Sequence, residues 1–144
     1  MSDRRAAAGW VEAIRGGDVS ALRELAHPDI VVRYPQSGEV VKGPDNVLAM
    51  VAAIPFDIPD STIALSDSTR ETVSVIAPGG FAMPSITVTG AGDTFFVEGV
   101  ADYGASGVFH TVMLIKVRDG KVAEETSYFA EPFERPDWRT PFAE

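Results

Sequence analysis

The chain has 144 residues, 21 acidic against 12 basic for a net charge of −9, with two histidines and no cysteine. That charge repels phosphate backbones and anionic membrane surfaces, so neither nucleic acid nor a membrane is expected as a partner. Without cysteine there is no disulfide framework and no thiolate chemistry, and His27 and His110 alone do not make a typical zinc site, so no metal is expected either.

Length fits one domain, 1–144, large enough for a core and an internal cavity. Arg4-Arg5 is followed by alanines and Trp10 rather than by a continuous apolar segment, which reads as a soluble, unprocessed chain, and the absence of cysteine fits the cytoplasm. Ser2 or Asp3 caps a first helix whose Ala6, Ala7, Trp10, Val11 and Ile14 repeat with helical period until Gly16-Gly17 stops it. Asp18 caps a second, short helix with Ala21, Leu22 and Leu25, which ends before His27-Pro28 because a residue preceding proline avoids helical angles. Ile30 to Tyr34 reads as a strand, Pro35 to Gly38 turns the chain, and Glu39 to Lys42 returns it. Gly43-Pro44 then opens a third helix with Val47, Leu48, Val51 and Ile54 on one side, ended by Pro55 and Pro59.

From Thr62 the pattern becomes β: 62–65, 72–76, 86–89, 94–103, 108–117 and 122–129. Glycines at 90–93, 104–107 and Asp119-Gly120 mark hairpin turns, because those turns need positive φ. The least regular segment, Ala77 to Ser85, reads as a surface loop and a candidate lid. Helices followed by a meander predict an α+β fold, a curved antiparallel sheet wrapped round three N-terminal helices with a hollow at its open end. The tail 131–144, with Phe133, Trp138 and Phe142 among prolines, reads as a strap over the sheet or onto a second subunit.

The run Trp10 to Asp18, then Asp29 to Pro35, Gly43-Pro44, and Asp119-Gly120-Lys121-Val122 to Tyr128-Phe129 resembles the nuclear transport factor two-like superfamily, and within it the SnoaL-like group. That group includes polyketide cyclases, ketosteroid isomerases and limonene epoxide hydrolases. The resemblance implies a cone-shaped fold, commonly dimeric through the outer sheet face, and a mostly apolar pocket for acid-base chemistry on small molecules without a cofactor. The catalytic Tyr and two Asp of the ketosteroid isomerases fall here on Trp10, Tyr34 and Met113, so none is retained. The Arg and Asp pair of the epoxide hydrolases falls near Glu98 and Val100, or Gly99 and Ala101 with a slip of one, and their second Asp on Ser127, so that set is broken too.

Strand residues alternate faces, so taking Tyr34, Met113 and Ser127 as inward adds Val32, Phe96, Glu98, Val100, Thr111, Glu125 and Phe129. The phase depends on whether Asp119-Gly120 forms a two-residue loop or a three-residue loop with a glycine bulge, and the resemblance favours the bulged form. The expected catalytic groups are Glu98 and Glu125 with Tyr34, the carboxyls desolvated and so raised toward neutrality. His110 falls on the opposite, outer face, and a bulge near Gly107 would turn it inward as a further base. Trp10, Val32, Phe96, Val100, Thr111, Met113, Ser127 and Phe129 are expected to contact ligand, Trp10 doubling as core.

Gly90-Ala91-Gly92 lacks a following helix to receive a pyrophosphate, and Gly104-Ala105-Ser106-Gly107 lacks nucleophile-elbow spacing. Three readings follow: a cofactor-independent acid-base enzyme acting on a small apolar metabolite by cyclisation, isomerisation or epoxide opening, a non-catalytic binder of a hydrophobic small molecule, or an association domain.

Overall fold

The computed structural model describes residues 2–54, 70–76, 82–102 and 107–144, with backbone alone at 70–76, 82–91, 100–102 and 108. Three helices lead: α1 (Asp3–Gly16), α2 (Val19–Leu25) and α3 (Pro44–Ala52). Their ends obey local chemistry. The Ser2 side chain accepts from the Arg5 amide, Asp18 accepts from that of Ala21, and Gly17 closes α1 at φ 63°, where a side chain would be strained. Pro44 starts α3, its fixed φ suiting a first turn and its missing N–H costing nothing there.

The strands are β1 (Ala26–Tyr34), β2 (Glu39–Lys42), β3 (Arg70–Ile76), β4 (Ala82–Ala91), β5 (Thr94–Asp102), β6 (Val108–Arg118) and β7 (Lys121–Ala130). They form one seven-stranded sheet in the order β2-β1-β7-β6-β5-β4-β3. The α+β plan of helices on a curved sheet is as the sequence predicts, with three local differences. β1 runs parallel to β7 within the otherwise antiparallel sheet, since no hairpin joins them to dictate direction. β1 begins at Ala26, because the extended angles a following proline imposes on His27 suit a strand as well as a helix end. Residues 82–85, expected in an irregular segment, belong to β4, while 77–81 of the lid candidate and the expected strand at 62–65 lie outside the described residues.

Two turns set the phase of the sheet. Asp119 and Gly120, at φ 56° and 72°, make a two-residue loop with Arg118 opposite Lys121. The register then shifts between Lys116 and Val117, so Val122 and Ala123 are both buried and the sequence continues with Glu125 opposite Ile115 and Ser127 opposite Met113. The bulge expected in the loop sits instead in the strand, with the same effect on parity. His27, on β1, ties this hairpin down: Arg118 Nε lies 3.4 Å from its Nε2, and Asp119 Oδ2 lies 3.5 Å from the same atom.

The core lies between the helices and the concave face of the sheet. Trp10, Leu22, Ile30, Val32, Val47, Phe95 and Ile115 are its largest fully buried side chains. The tail ends in a 3-10 turn, Asp137–Phe142, and the guanidinium of Arg139 sits 5.8 Å from the Phe133 ring and 5.5 Å from that of Trp138. Phe133, Trp138 and Phe142 are 72–84% exposed, so the strap does not lay its rings on its own sheet.

Candidate functional site

A cavity of about 200 Å³ opens between α1, α3 and the concave face of the sheet. α1 contributes Trp10, Val11, Ile14 and Arg15, one helical face, and α3 contributes Val47, Met50 and Val51, continued by Ile54. From the sheet come Val32 and Tyr34 on β1, Thr111 and Met113 on β6, and Glu125, Ser127 and Phe129 on β7, each strand supplying alternate residues.

Glu125 is the centre of this lining. Its side chain is buried and both carboxyl oxygens are held: Trp10 Nε1 donates to Oε1 at 2.8 Å and Ser127 Oγ donates to Oε2 at 3.0 Å. Burial pushes its pKa up, since the charged form loses water, while the bonds from Trp10 and Ser127 pull the other way without cancelling the rise. Tyr34 stands beside it, because Val32 pairs with Glu125 and Arg33 with Thr126, bringing the next pair, Tyr34 and Ser127, level. Its phenol is pushed above the usual tyrosine range, first by burial and then by the negative charge of Glu125 and, less, of Glu39. The hydroxyl lies 3.6 Å from Met50 Sδ, and the ring stacks on Phe129 at a centroid distance of 6.2 Å. A thioether is a weak acceptor, so the phenol keeps a donor for a better oxygen. A carboxyl shifted toward neutrality beside a neutral phenol can move a proton at carbon and bond the oxygen that gains charge.

Eight of the twelve residues singled out in the sequence meet here: Glu125, Tyr34, Trp10, Val32, Thr111, Met113, Ser127 and Phe129. The β5 assignments are corrected. Met113 pairs with Val97, not with Phe96 or Glu98, so Phe95 and Val97 point inward and Phe96 and Glu98 lie exposed on the outer face. Asp102 pairs with Val108, which sets the phase of β5 one residue away from the expected one. Glu98 and Glu125 therefore do not share the cavity. Val100 occupies the same register row as His110, and its side chain lies outside the described residues. His110 is exposed on the outer face, and no bulge interrupts β6 between Val108 and Lys116 to turn it inward.

The helical wall was foreshadowed only as the apolar stripes of α1 and α3. Arg15 was missed altogether, since nothing but its place after Ile14 marks it. Among the described residues no group of three or more His, Cys, Asp or Glu gathers as a metal-ligand set, and no helix is long and apolar enough to cross a membrane.

Residues 7–125 match the model of the SnoaL-like domain. Among solved structures, an NTF-2 like protein of unknown function from Burkholderia xenovorans LB400 is 27% identical, with 99% of this chain and 93% of that one covered at a TM-score of 0.70. A protein from Kribbella flavida DSM 17836, named as a candidate ketosteroid isomerase, is 22% identical over 99% of this chain and 87% of its own, with a TM-score of 0.62. A candidate polyketide cyclase from Sinorhizobium meliloti is 17% identical over 89% of this chain and 95% of its own, with a TM-score of 0.58. At such identities the last two establish the fold alone. No curated protein matches.

Proposed function

The chain belongs to the SnoaL-like domain family, and from that premise we propose that it is a cofactor-independent acid-base enzyme that moves a proton next to the carbonyl of a small, largely apolar molecule. The observation that carries this reading is the buried Glu125 carboxyl, held at both oxygens in a mostly apolar cavity. In the proposed step the Glu125 carboxylate takes a proton from the carbon beside the carbonyl, and the C–H electron pair shifts onto the carbonyl oxygen. Tyr34 donates its O–H to that oxygen, and Trp10 and Ser127 keep the carboxylate aimed. Return of the proton to another carbon gives an isomer; alternatively the enolate carbon attacks a second carbonyl of the same molecule, the pair of that C=O bond moves onto its oxygen, and the proton held by Glu125 passes to that oxygen as the ring closes.

A second reading rests on the same two bonds. Because Trp10 and Ser127 already satisfy both Glu125 oxygens, the carboxyl is also stable as a structural group, and the cavity then serves as a binding site without turnover.

Proton exchange separates the two. Incubated in deuterated buffer with decalone as an apolar cyclic ketone, the protein is expected to speed deuterium incorporation at the carbons next to the carbonyl, and Glu125→Gln to lower that rate by about 10²–10⁴-fold. Thermal stabilisation by decalone with no exchange above the buffer rate supports the binder. Exchange that survives Glu125→Gln removes Glu125 from the mechanism.

A further inference from the structure

We infer that the ligand carries a second, neutral oxygen, a hydroxyl or a carbonyl, which the Thr111 hydroxyl binds at the end of the cavity away from Glu125. This rests on reading the cavity as the ligand site and adds the chemical class that the site selects. The other polar side chains of the lining are already engaged: Trp10 and Ser127 bond to Glu125, the Tyr34 hydroxyl lies on Met50 Sδ, and Arg15 has an interaction of its own. Thr111 lines the same cavity, and among the described residues nothing bonds its hydroxyl. Unbonded, yet not one of the side-chain atoms cut off from all surface, its Oγ1 keeps surface that a ligand can reach. A hydroxyl in so apolar a wall is costly until an oxygen pairs with it.

The sheet register fixes where that oxygen lies. Val97, Met113 and Ser127 form one inward row, and Gly99, Thr111 and Phe129 form the next. Glu125 stands opposite Ile115, so Thr111 lies one row beyond Ser127 and two beyond Glu125, about 7 and 13 Å along the strands. Gly99 has no side chain, so none from β5 in that row covers the hydroxyl. A carbonyl placed between Glu125 and Tyr34 therefore leaves the other end of a two-ring molecule beside Thr111. A threonine hydroxyl both donates and accepts without charge, so it takes a carbonyl or a hydroxyl oxygen equally, whereas the chain, at −9, repels an anion. Threonine also suits a strand for its β-branched shape, a role that valine fills as well and that gives no preference among ligands.

The test compares 2-decalone with decalin-2,6-dione, which has the same two rings and a carbonyl at each end, by calorimetric titration. The wild-type chain is expected to bind the dione about 3–10-fold more tightly, the worth of one neutral hydrogen bond. Thr111→Val keeps the branched shape and removes the hydroxyl, so the second carbonyl loses water for no partner and decalone should become the tighter ligand. Thr111→Ser should keep the preference for the dione. A wild-type ratio of about two or less, which the two equivalent ends of the dione give by themselves, overturns the inference and leaves the proposed function standing. A preference that survives Thr111→Val does the same. If Thr111→Val fails to fold, Thr111→Ala, which also lacks the hydroxyl, is judged in its place. Binding of neither probe overturns the inference together with the cavity as a ligand site, whereas loss of decalone exchange in Glu125→Gln is read independently.

Discussion

Glu125 makes stability depend on pH in a defined direction. Its folded pKa lies above that of the unfolded chain, so the folded state binds the proton more tightly, and the stability this gives is complete below the ordinary glutamate range. It is lost as pH rises through the folded value, and beyond that the buried charge is a constant cost. Glu125→Gln should therefore flatten the fall of melting temperature between acid and neutral pH and match or exceed the wild type at neutrality. A steeper fall in the variant would contradict a raised carboxyl. Trp10→Phe removes the indole donor, so the rise of Glu125 should increase and the pH profile of exchange should move to higher pH, with about 1–3 kcal/mol of stability lost in urea unfolding. Tyr34 is expected to ionise above the usual tyrosine range when absorbance is followed into alkali, and Tyr34→Phe should delete that late phase.

At the level of single elements, what matters is the phase of β5 and β7. Val97 is 3% exposed and packs on the concave side, whereas its neighbour Glu98 is exposed. Val97→Asp puts an unpaired charge in the core and should cost more than about 3 kcal/mol, while Glu98→Gln should stay within about 0.5 kcal/mol and leave deuterium exchange unchanged. The reverse ranking would mean that the register Val97 to Met113 is wrong. On β7 the strand bulge at Val122 and Ala123 does the corresponding work. Without that extra residue Thr126 would stand opposite Met113, and both Glu125 and Ser127 would face outward.

Over the whole molecule, the helices close one side of the cavity, the sheet closes the other, and the tail contributes to neither. The Arg139 amide donates to the Pro136 carbonyl and the Arg139 guanidinium lies over Phe133 and Trp138, contacts within 131–144, and its three large rings are exposed. Removal of these residues should shift the melting temperature by less than about 4 °C, measured by calorimetry. A larger loss would show that the tail packs on something, for example a second copy.

Local chemistry carried much of this into the sequence. Ser2, Asp18, Gly17 and Pro44 marked where helices start and stop, the stripe ending at Ile14 announced a buried face, and alternation added Glu125 to the Tyr34 and Ser127 that the family resemblance had set inward, because caps and periodicity act within a few residues. Tertiary structure alone decided which face of β5 turns inward, that β1 runs parallel to β7, that Glu98 and His110 lie outside, and that Arg15 reaches the cavity. Each depends on how segments far apart in the chain are paired, and a shift of one residue at a loop reverses every side chain that follows.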